Sequence, residues 1–143
     1  MTHSDRRAYF FKIDTTVKKV RNFLQKKLTE HHIDLTVDQW VVLDHLKPSP
    51  GISQNDLATI TAKDAPTTTR ILDILITKGL VERKNAKLDR RKSMLFLTDD
   101  GHRLHDKTFP VAAEVRKLAW EHLTDEDYND LVRIMDRIYQ NVV

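Results

Sequence analysis

The sequence predicts a mainly α-helical fold with one small β-hairpin, and two observations carry this prediction. Glycine occurs only at positions 51, 79 and 101 and proline only at 48, 50, 66 and 110, whereas residues that favour helices are abundant. Apolar residues recur three and four positions apart over most of the chain, and strand-like segments are short. A length of 143 residues is that of one domain with a single core.

Charge and composition narrow the class of protein. The chain has 24 Lys+Arg against 21 Asp+Glu, a net charge of +3, which alone barely indicates a polyanionic partner. Between residues 83 and 92, however, six basic residues stand against one acid, Asp89. The absence of cysteine excludes disulfides, thiolate nucleophiles and cysteine metal sites. With no signal-peptide core and no run of 18 apolar residues, we expect a cytoplasmic protein without membrane contact.

The first two predicted helices precede the glycines. A long amphipathic helix spans about Asp5 to His31, and its apolar stripe comprises Phe10, Ile13, Val17, Val20, Leu24 and Leu28. Thr36 opens a second helix, with Trp40, Leu43 and Leu46 on one face. The segment 48–51, Pro-Ser-Pro-Gly, ends it.

Two short helices with capping signals follow. Ser53 is placed to cap the third helix, and Asp56 three residues later completes a variant capping box. Asp64 caps the fourth helix, where Pro66 occupies a first-turn position that needs no amide donor, and Gly79 ends this helix. Two short helices joined by a turn of about three residues form the layout of a helix-turn-helix.

A basic hairpin comes directly after these helices. Leu80 to Lys84 and Ser93 to Thr98 are predicted strands. The residues between them include four basic side chains: Lys87, Arg90, Arg91 and Lys92. A β-hairpin with a basic tip attached to a helix-turn-helix is a winged helix-turn-helix.

Long helices complete the C-terminal part. Thr98 with Asp99 and Asp100 starts a fifth helix, which Pro110 should kink or divide in two. Thr124 with Asp127 caps a sixth helix, whose apolar stripe is Tyr128, Leu131, Met135, Ile138 and Val142. Because the terminal stripes lie outside the winged unit, we expect them to be buried partly against a second copy. The predicted organisation is one compact unit: 1–34 an N-terminal dimerisation helix, 35–100 the winged helix-turn-helix, and 101–143 C-terminal dimerisation helices.

A series of residues in fixed order resembles the MarR family of transcriptional regulators. The matching residues are Leu35-Thr36, Gln39 to Leu43, Ser53-Gln54, Leu57-Ala58, Thr69-Arg70, Asp73, Leu75, Gly79 to Arg83, Asp89 to Arg91, Leu97-Thr98 and Gly101. The resemblance implies a homodimeric protein that binds double-stranded DNA. It also implies a response to a ligand, because members of this family often respond to small aromatic or phenolic molecules. We therefore expect a repressor of a pseudo-palindromic operator that such a ligand releases.

The fourth helix is the predicted DNA-reading element, because the N-terminal side chains of a helix in the major groove reach base edges. The expected contacts from it are Pro66, Thr67, Thr68, Thr69 and Arg70, joined by Ser53 and Gln54 from the third helix. Arg70 can bind guanine O6 and N7 with two hydrogen bonds. Instead of contacting DNA, Arg70 could form a surface ion pair with Asp73. The threonines could instead cap the helix or be exposed to solvent.

The hairpin tip is the predicted second contact. A guanidinium suits a narrow, negative minor groove, and the resemblance assigns this role to Arg90, with Asp89 and Arg91 as a more structural pair. Lys87 and Lys92 would add phosphate contacts, and Arg91 belongs to the same DNA-binding set. The alternative is a solvated hairpin without a partner.

Ligand, metal and enzyme hypotheses rest on weaker patterns. Trp40 could stack on an aromatic effector, although a tryptophan at helical spacing is more often part of a core. His102, His105 and Asp106 lie close together in sequence, but we predict neither a metal site nor a cofactor. Isolated glycines build no phosphate loop and no nucleophile elbow, so the chain is not expected to be an enzyme. The alternative function is a winged-helix module that contacts an acidic protein instead of DNA.

Overall fold

A computed structural model of the chain describes residues 8–85 and 92–143. The helices are α1 (Ala8–Glu30), α2 (Val37–Leu46), α3 (Gln54–Ile60), α4 (Ala65–Thr77), α5 (Asp99–Ala119) and α6 (Asp125–Val142). The strands are β1 (Ile52–Ser53), β2 (Val81–Asn85) and β3 (Ser93–Leu97). This arrangement confirms the predicted fold class, a mainly helical winged helix-turn-helix flanked by long terminal helices.

The core lies where α2, α3 and α4 pack over the small sheet. Its centre consists of leucines with no exposed surface: Leu43, Leu57, Leu72, Leu75 and Leu95. Leu28 of α1 and Ala112 of α5 belong to the same cluster, so the long helices also contribute to it. The winged unit and the inner faces of the terminal helices therefore share one core.

Side-chain caps begin the helices at the predicted residues. The Asp56 amide donates to Ser53 Oγ over 3.1 Å, and the Thr67 amide donates to Asp64 Oδ1 over 2.7 Å. Thr98 Oγ1 accepts from the Gly101 amide in the first turn of α5. Each of these bonds satisfies an amide that has no partner within its helix.

α4 ends in a Schellman motif built on Gly79. Gly79 has a φ of +74°. The Gly79 amide donates to the Ile76 carbonyl and the Leu80 amide to the Leu75 carbonyl, both over 2.9 Å. The motif turns the chain from the end of α4 directly into β2. Gly79 thus ends the fourth helix, as predicted.

The sheet contains a strand that the sequence did not predict. The strand order is β1-β3-β2, and both pairings are antiparallel. In β1, Ile52 pairs with Leu95 and Ser53 with Met94. Two residues are too few to show the alternation that indicates a strand, which is why only the hairpin of β2 and β3 was predicted.

α5 passes through Pro110 as a single helix, so of the two predicted effects of this residue, a kink or a division, the division does not occur. A proline in a helix removes one backbone hydrogen bond. Ala112 and Val115, which follow Pro110 directly, are buried where α5 packs along α1. This packing holds the helix together across the missing bond.

The terminal helices expose large apolar side chains. No residue of α6 is buried, and its exposed apolar residues include Tyr128, Leu131, Val132, Ile134, Met135, Tyr139 and Val142. On α1 the exposed set includes Tyr9, Phe10, Phe11, Val17, Val20 and Phe23. Within the described ranges, no helix has the length and apolar character needed to cross a lipid bilayer. The division at residues 34 and 100 stays a prediction.

Candidate nucleic-acid interface

The first two turns of α4 form an exposed surface. Pro66, Thr69 and Arg70 are exposed at this end of the helix, where the Thr67 amide donates to the capping Asp64. The backbone N–H of Thr67 holds the pKa of the capping Asp64 carboxyl below its usual value, and the positive charge of Arg70 adds to this effect. A helix start with a cation and hydroxyls on its outer side suits an anionic, hydrogen-bonding partner.

Thr68 corrects one of the predicted DNA contacts. Its side chain is only 1% exposed, and its hydroxyl donates to the Asp64 carbonyl over 2.9 Å. The residue faces the core, because it lies one turn after the cap on the inner side of the helix. Thr67 is half-buried beside it, which leaves Pro66, Thr69 and Arg70 as the outward-facing part of the predicted set.

The predicted alternative for Arg70, an ion pair with Asp73, is not found among the described residues. Asp73 Oδ1 instead lies 3.3 Å from Arg83 Nη2 on β2. Arg70 therefore stays on the outer face of α4, beside an open groove along this helix. The groove is lined by Ala65, Pro66, Thr69, Arg70, Asp73, Ile74, Thr77 and Lys78.

The start of α3 joins this surface. Gln54 Nε2 donates to Thr69 Oγ1 over 2.8 Å, so two predicted contact residues from different helices bind each other. Ser53 and Gln54 also line a polar cleft with Lys92 and Ser93, at the base of the hairpin. The structure thus brings together Ser53, Gln54, Thr69 and Lys92, which are distant in sequence.

The tip of the hairpin lies outside the described residues. Lys87, Arg90 and Arg91 therefore remain predicted contacts, together with the structural role of Asp89. The described base of the hairpin is basic: Lys84 on β2 places its Nζ 5.2 Å from the centre of the Phe96 ring. Pairing of Arg83 with Leu95 and Asn85 with Ser93 sets the register that leads to the tip.

Trp40 is a core residue, which corrects its predicted role in stacking on a ligand. It is 5% exposed, and its indole ring stacks on the imidazole of His105 from α5. His105 Nε2 lies 2.9 Å from Asp44 Oδ1, and His105 Nδ1 lies 3.1 Å from Asp106 Oδ1. Hydrogen bonds from His105 and then from Lys47 hold the pKa of the Asp106 carboxyl below its usual value.

The histidines near the start of α5 form side-chain contacts with Asp44, Lys47 and Asp106. His102 Nδ1 lies 3.0 Å from Lys47 Nζ, and His105 lies between its two carboxylates. Across residues 8–85 and 92–143, no group of three or more metal-ligating side chains is arranged around a common point. His102, His105 and Asp106 lie where α5 packs against the end of α2, and they contact Lys47 and Asp44 there.

Two relationships at these sites were missed by the sequence analysis. The bond between Gln54 and Thr69 and the contact between Trp40 and His105 both join residues from different helices. Apolar periodicity reports which face of a helix is buried, but it does not report which residue of another helix lies opposite. The signal that was present is the polar character of Gln54 and His105 at positions beside a core.

Comparison with known proteins identifies the family. The model of the MarR family matches residues 33–92, which include α2, α3, α4 and β2. A protein of unknown function from Listeria innocua is 31% identical, with a TM-score of 0.69, over 96% of this chain and 98% of that one.

Two solved structures with DNA are also similar. A mutant MarR from E. coli complexed with operator DNA has a TM-score of 0.84 at 22% identity, over 96% of this chain and 98% of that one, which establishes the shared fold. The transcriptional repressor CouR bound to a 23-mer DNA duplex has a TM-score of 0.79 at 25% identity, over 90% of each chain. From the family match and these likenesses along its length, the chain belongs to the MarR family of transcriptional regulators.

Proposed function

We propose that the chain is a homodimeric repressor that binds a pseudo-palindromic operator and is released from it by a small effector. Members of the MarR family are transcriptional regulators and not enzymes, in agreement with the prediction from the sequence. The observation that carries the proposal is the exposed start of α4, with Pro66, Thr69 and Arg70 on one outward face. CouR, a repressor of the same fold, was solved on duplex DNA, and MarR on its operator.

In this proposal α4 enters the major groove. Arg70 has the chemistry to bind guanine O6 and N7 with two hydrogen bonds, and Thr69 to bind a base edge or a phosphate. Ser53, Gln54 and Lys92 would contact the phosphates beside the groove, since they line one cleft near α4. Lys87, Arg90 and Arg91 complete the proposed interface from the hairpin, with Arg90 in the minor groove.

The dimer is supported by the apolar faces of α1 and α6. Side chains such as Phe10 on α1 and Leu131 and Tyr139 on α6 are exposed in a single chain. An apolar surface of this extent on the two terminal helices favours burial against a second copy. Two copies related by a twofold axis would present two α4 helices to successive major grooves about 34–36 Å apart.

An effector would act through the spacing of these two helices. A cavity of about 280 Å³ between α1 and α5 has an apolar floor that includes Val111, Val115 and Leu118. Lys27, His31 and Glu114 also line the cavity and provide polar groups. This combination suits a small aromatic molecule with a polar substituent, which would lower DNA affinity if it prefers a dimer with another spacing.

A binding titration at two salt concentrations tests the function. Full-length protein is titrated with random-sequence duplex at roughly 50 and 200 mM salt, where 6–10 phosphate contacts weaken binding about a thousandfold or more. Such a loss, together with enrichment of one palindromic sequence from a random library, would support the proposal. An affinity that does not change with salt would contradict it and favour the alternative, a module that contacts a protein.

A further inference from the structure

Two polar side chains on the proposed DNA face are joined to each other. Gln54, the first residue of α3, donates from Nε2 to Thr69 Oγ1 on α4 over 2.8 Å. The bond joins the two helices of the helix-turn-helix, and Thr69 also lines the groove along α4. The inference drawn from this bond rests on the proposed function.

The hydroxyl of Thr69 differs from those of most helical threonines in the chain. Several threonines donate their hydroxyl proton to the carbonyl four residues earlier: Thr15, Thr29, Thr59, Thr61, Thr68 and Thr108. A threonine bonded in this way has only lone pairs left for an outside partner. Among the described residues, Thr69 makes no such bond, and it accepts from Gln54 instead. Its proton is therefore available to a partner outside the protein.

We propose that Gln54 is a positioning residue that holds Thr69 as a hydrogen-bond donor, and that this pair selects a base with an acceptor at its major-groove edge. Guanine N7 and O6, adenine N7 and thymine O4 are such acceptors, whereas the N4 amino group of cytosine is a donor. A free threonine hydroxyl rotates to suit either kind of partner. The bond from Gln54 occupies one of the two lone pairs of Thr69 Oγ1 and polarises its O–H group, so this hydroxyl favours donation over acceptance.

The backbone of Gln54 is itself held in place, which makes positioning effective. The preceding residue, Ser53, caps α3 through the Asp56 amide and pairs with Met94 in the sheet. Gln54 is half-buried, while Thr69 is exposed. Gln54, the donor of the bond, is thus anchored to the protein, and Thr69, the acceptor, projects toward the groove.

A double-mutant cycle tests the pairing. Full-length wild type, Thr69→Val, Gln54→Ala and the double variant are each used to select from random duplexes long enough for two half-sites. In the wild-type operator we expect one symmetric pair of positions to exclude cytosine. Each single variant should weaken this preference about 2- to 10-fold, the effect of one hydrogen bond, and the double variant should weaken it no further. Losses that multiply, or that fall at different base positions, would overturn the inference.

A second test exchanges the donor and the acceptor of the bond between residue 54 and Thr69, so that the bond is reversed and not lost. In Gln54→Glu the side chain can only accept, so Thr69 must donate to it and turn its lone pairs outward. The preferred base should then change to one with an amino group at this edge, cytosine or adenine. Asn55→Asp adds the same charge one residue away and should weaken binding on all sequences without changing the preferred base. An unchanged preference in Gln54→Glu would overturn the inference.

Two further results separate this inference from the proposed function. Thr69→Ser keeps the hydroxyl and should retain the wild-type preference, which shows that the hydroxyl and not the methyl group is read. If wild type selects an operator and Gln54→Ala selects the same one with the same stringency, this inference alone is wrong. If wild type selects no sequence, both the inference and the proposed function are wrong. Thermal unfolding of each variant confirms that it is folded.

Discussion

The imidazole of His105 stacks on the indole of Trp40, with ring centroids 5.1 Å apart and planes inclined by 29°. Trp40 belongs to α2 of the winged unit, and His105 belongs to the long helix α5. A carboxylate oxygen lies beside each ring nitrogen of His105, that of Asp44 beside Nε2 and that of Asp106 beside Nδ1. His105 therefore joins these two helices from within the core, through its stacking on Trp40 and its hydrogen bond with Asp44.

His105→Leu should destabilise the fold. The variant keeps an apolar side chain against Trp40 but removes both ring nitrogens, leaving Asp44 without its partner on α5. We expect the free energy of unfolding to fall by about 1–3 kcal/mol, measured by chemical denaturation. The control is His102→Leu, three residues earlier on the exposed face of α5, which should cost less. Equal losses in the two variants would contradict a special role for His105.

Acid should weaken the contact that Asp38 of α2 makes with α1 and with the turn between α3 and α4. Partial burial raises the pKa of Asp38, but the hydrogen bonds from Lys63 and Arg21 outweigh it and hold this pKa below its usual value of 3.8. Because the folded-state pKa is the lower one, the stabilisation is complete above the unfolded-state value and is lost as pH falls through the folded-state value.

The measurement is thermal unfolding of wild type and Asp38→Asn between neutral pH and about pH 3. The variant should be less stable at neutral pH, and the difference should shrink below about pH 4. Asp136→Asn, on the exposed surface of α6, serves as the control. A difference between wild type and Asp38→Asn that stays constant with pH would show that Asp38 contributes through shape and not through charge.

Gly79 and Gly101 should respond differently to substitution. Gly79 has a φ of +74° with open space around it, so Gly79→Ala should cost about 1–2 kcal/mol from backbone strain. At Gly101 a Cβ would lie 2.1 Å from the Leu80 carbonyl oxygen, and α5 would have to move. Gly101→Ala should cost more, at least about 1–3 kcal/mol.

Asparagine separates the two causes, because it tolerates a positive φ but has a Cβ. Gly79→Asn should be more stable than Gly79→Ala, whereas Gly101→Asn should be no better than Gly101→Ala. Chemical denaturation of the four variants gives the comparison. The same order at both positions would refute the assignment of strain to Gly79 and of steric overlap to Gly101.

These examples show what the sequence could and could not predict. Helix starts were predicted at Ser53, Asp64 and Thr124 because a cap depends on residues within one turn. Thr68 was assigned to the interface because it stands beside Thr69 in sequence, although one position along a helix turns a side chain by about 100°. The bond between Gln54 and Thr69 depends on how two helices meet, which local patterns do not encode.

The two arginines of the proposed interface should differ in their effect on DNA binding. Arg70→Ala should relax base preference in the major groove by about 1–3 kcal/mol at one position per half-site. Arg90→Ala should reduce overall affinity, or the preference for narrow minor grooves. Lys107→Ala on α5 removes the same charge from an exposed position and is the control. An equal loss on every sequence from Arg70→Ala would show that Arg70 contacts only phosphate.

Leu131→Asp should dissociate the proposed dimer. Leu131 is 46% exposed on the apolar face of α6, and burying a carboxylate there against a second copy is unfavourable. Light scattering should give twice the chain mass of 16.7 kDa for wild type and the single mass for the variant. Asn129→Asp adds the same charge two residues earlier and should remain dimeric. A wild type of single mass at micromolar concentration would contradict the dimer.

The short strand β1 has a consequence for regulation. It ties the residue before α3 to β3, the central strand of the sheet, while the Schellman turn at Gly79 joins α4 to β2. The helix-turn-helix and the base of the hairpin are thus connected at both ends and should move as one rigid body. Within one half-site, the number of base pairs between the contact of α4 and the contact of the hairpin should then be fixed by the structure of one protomer. An effector can alter only the separation and relative rotation of the half-sites, so operators that differ in their central spacer should differ most in their response to it.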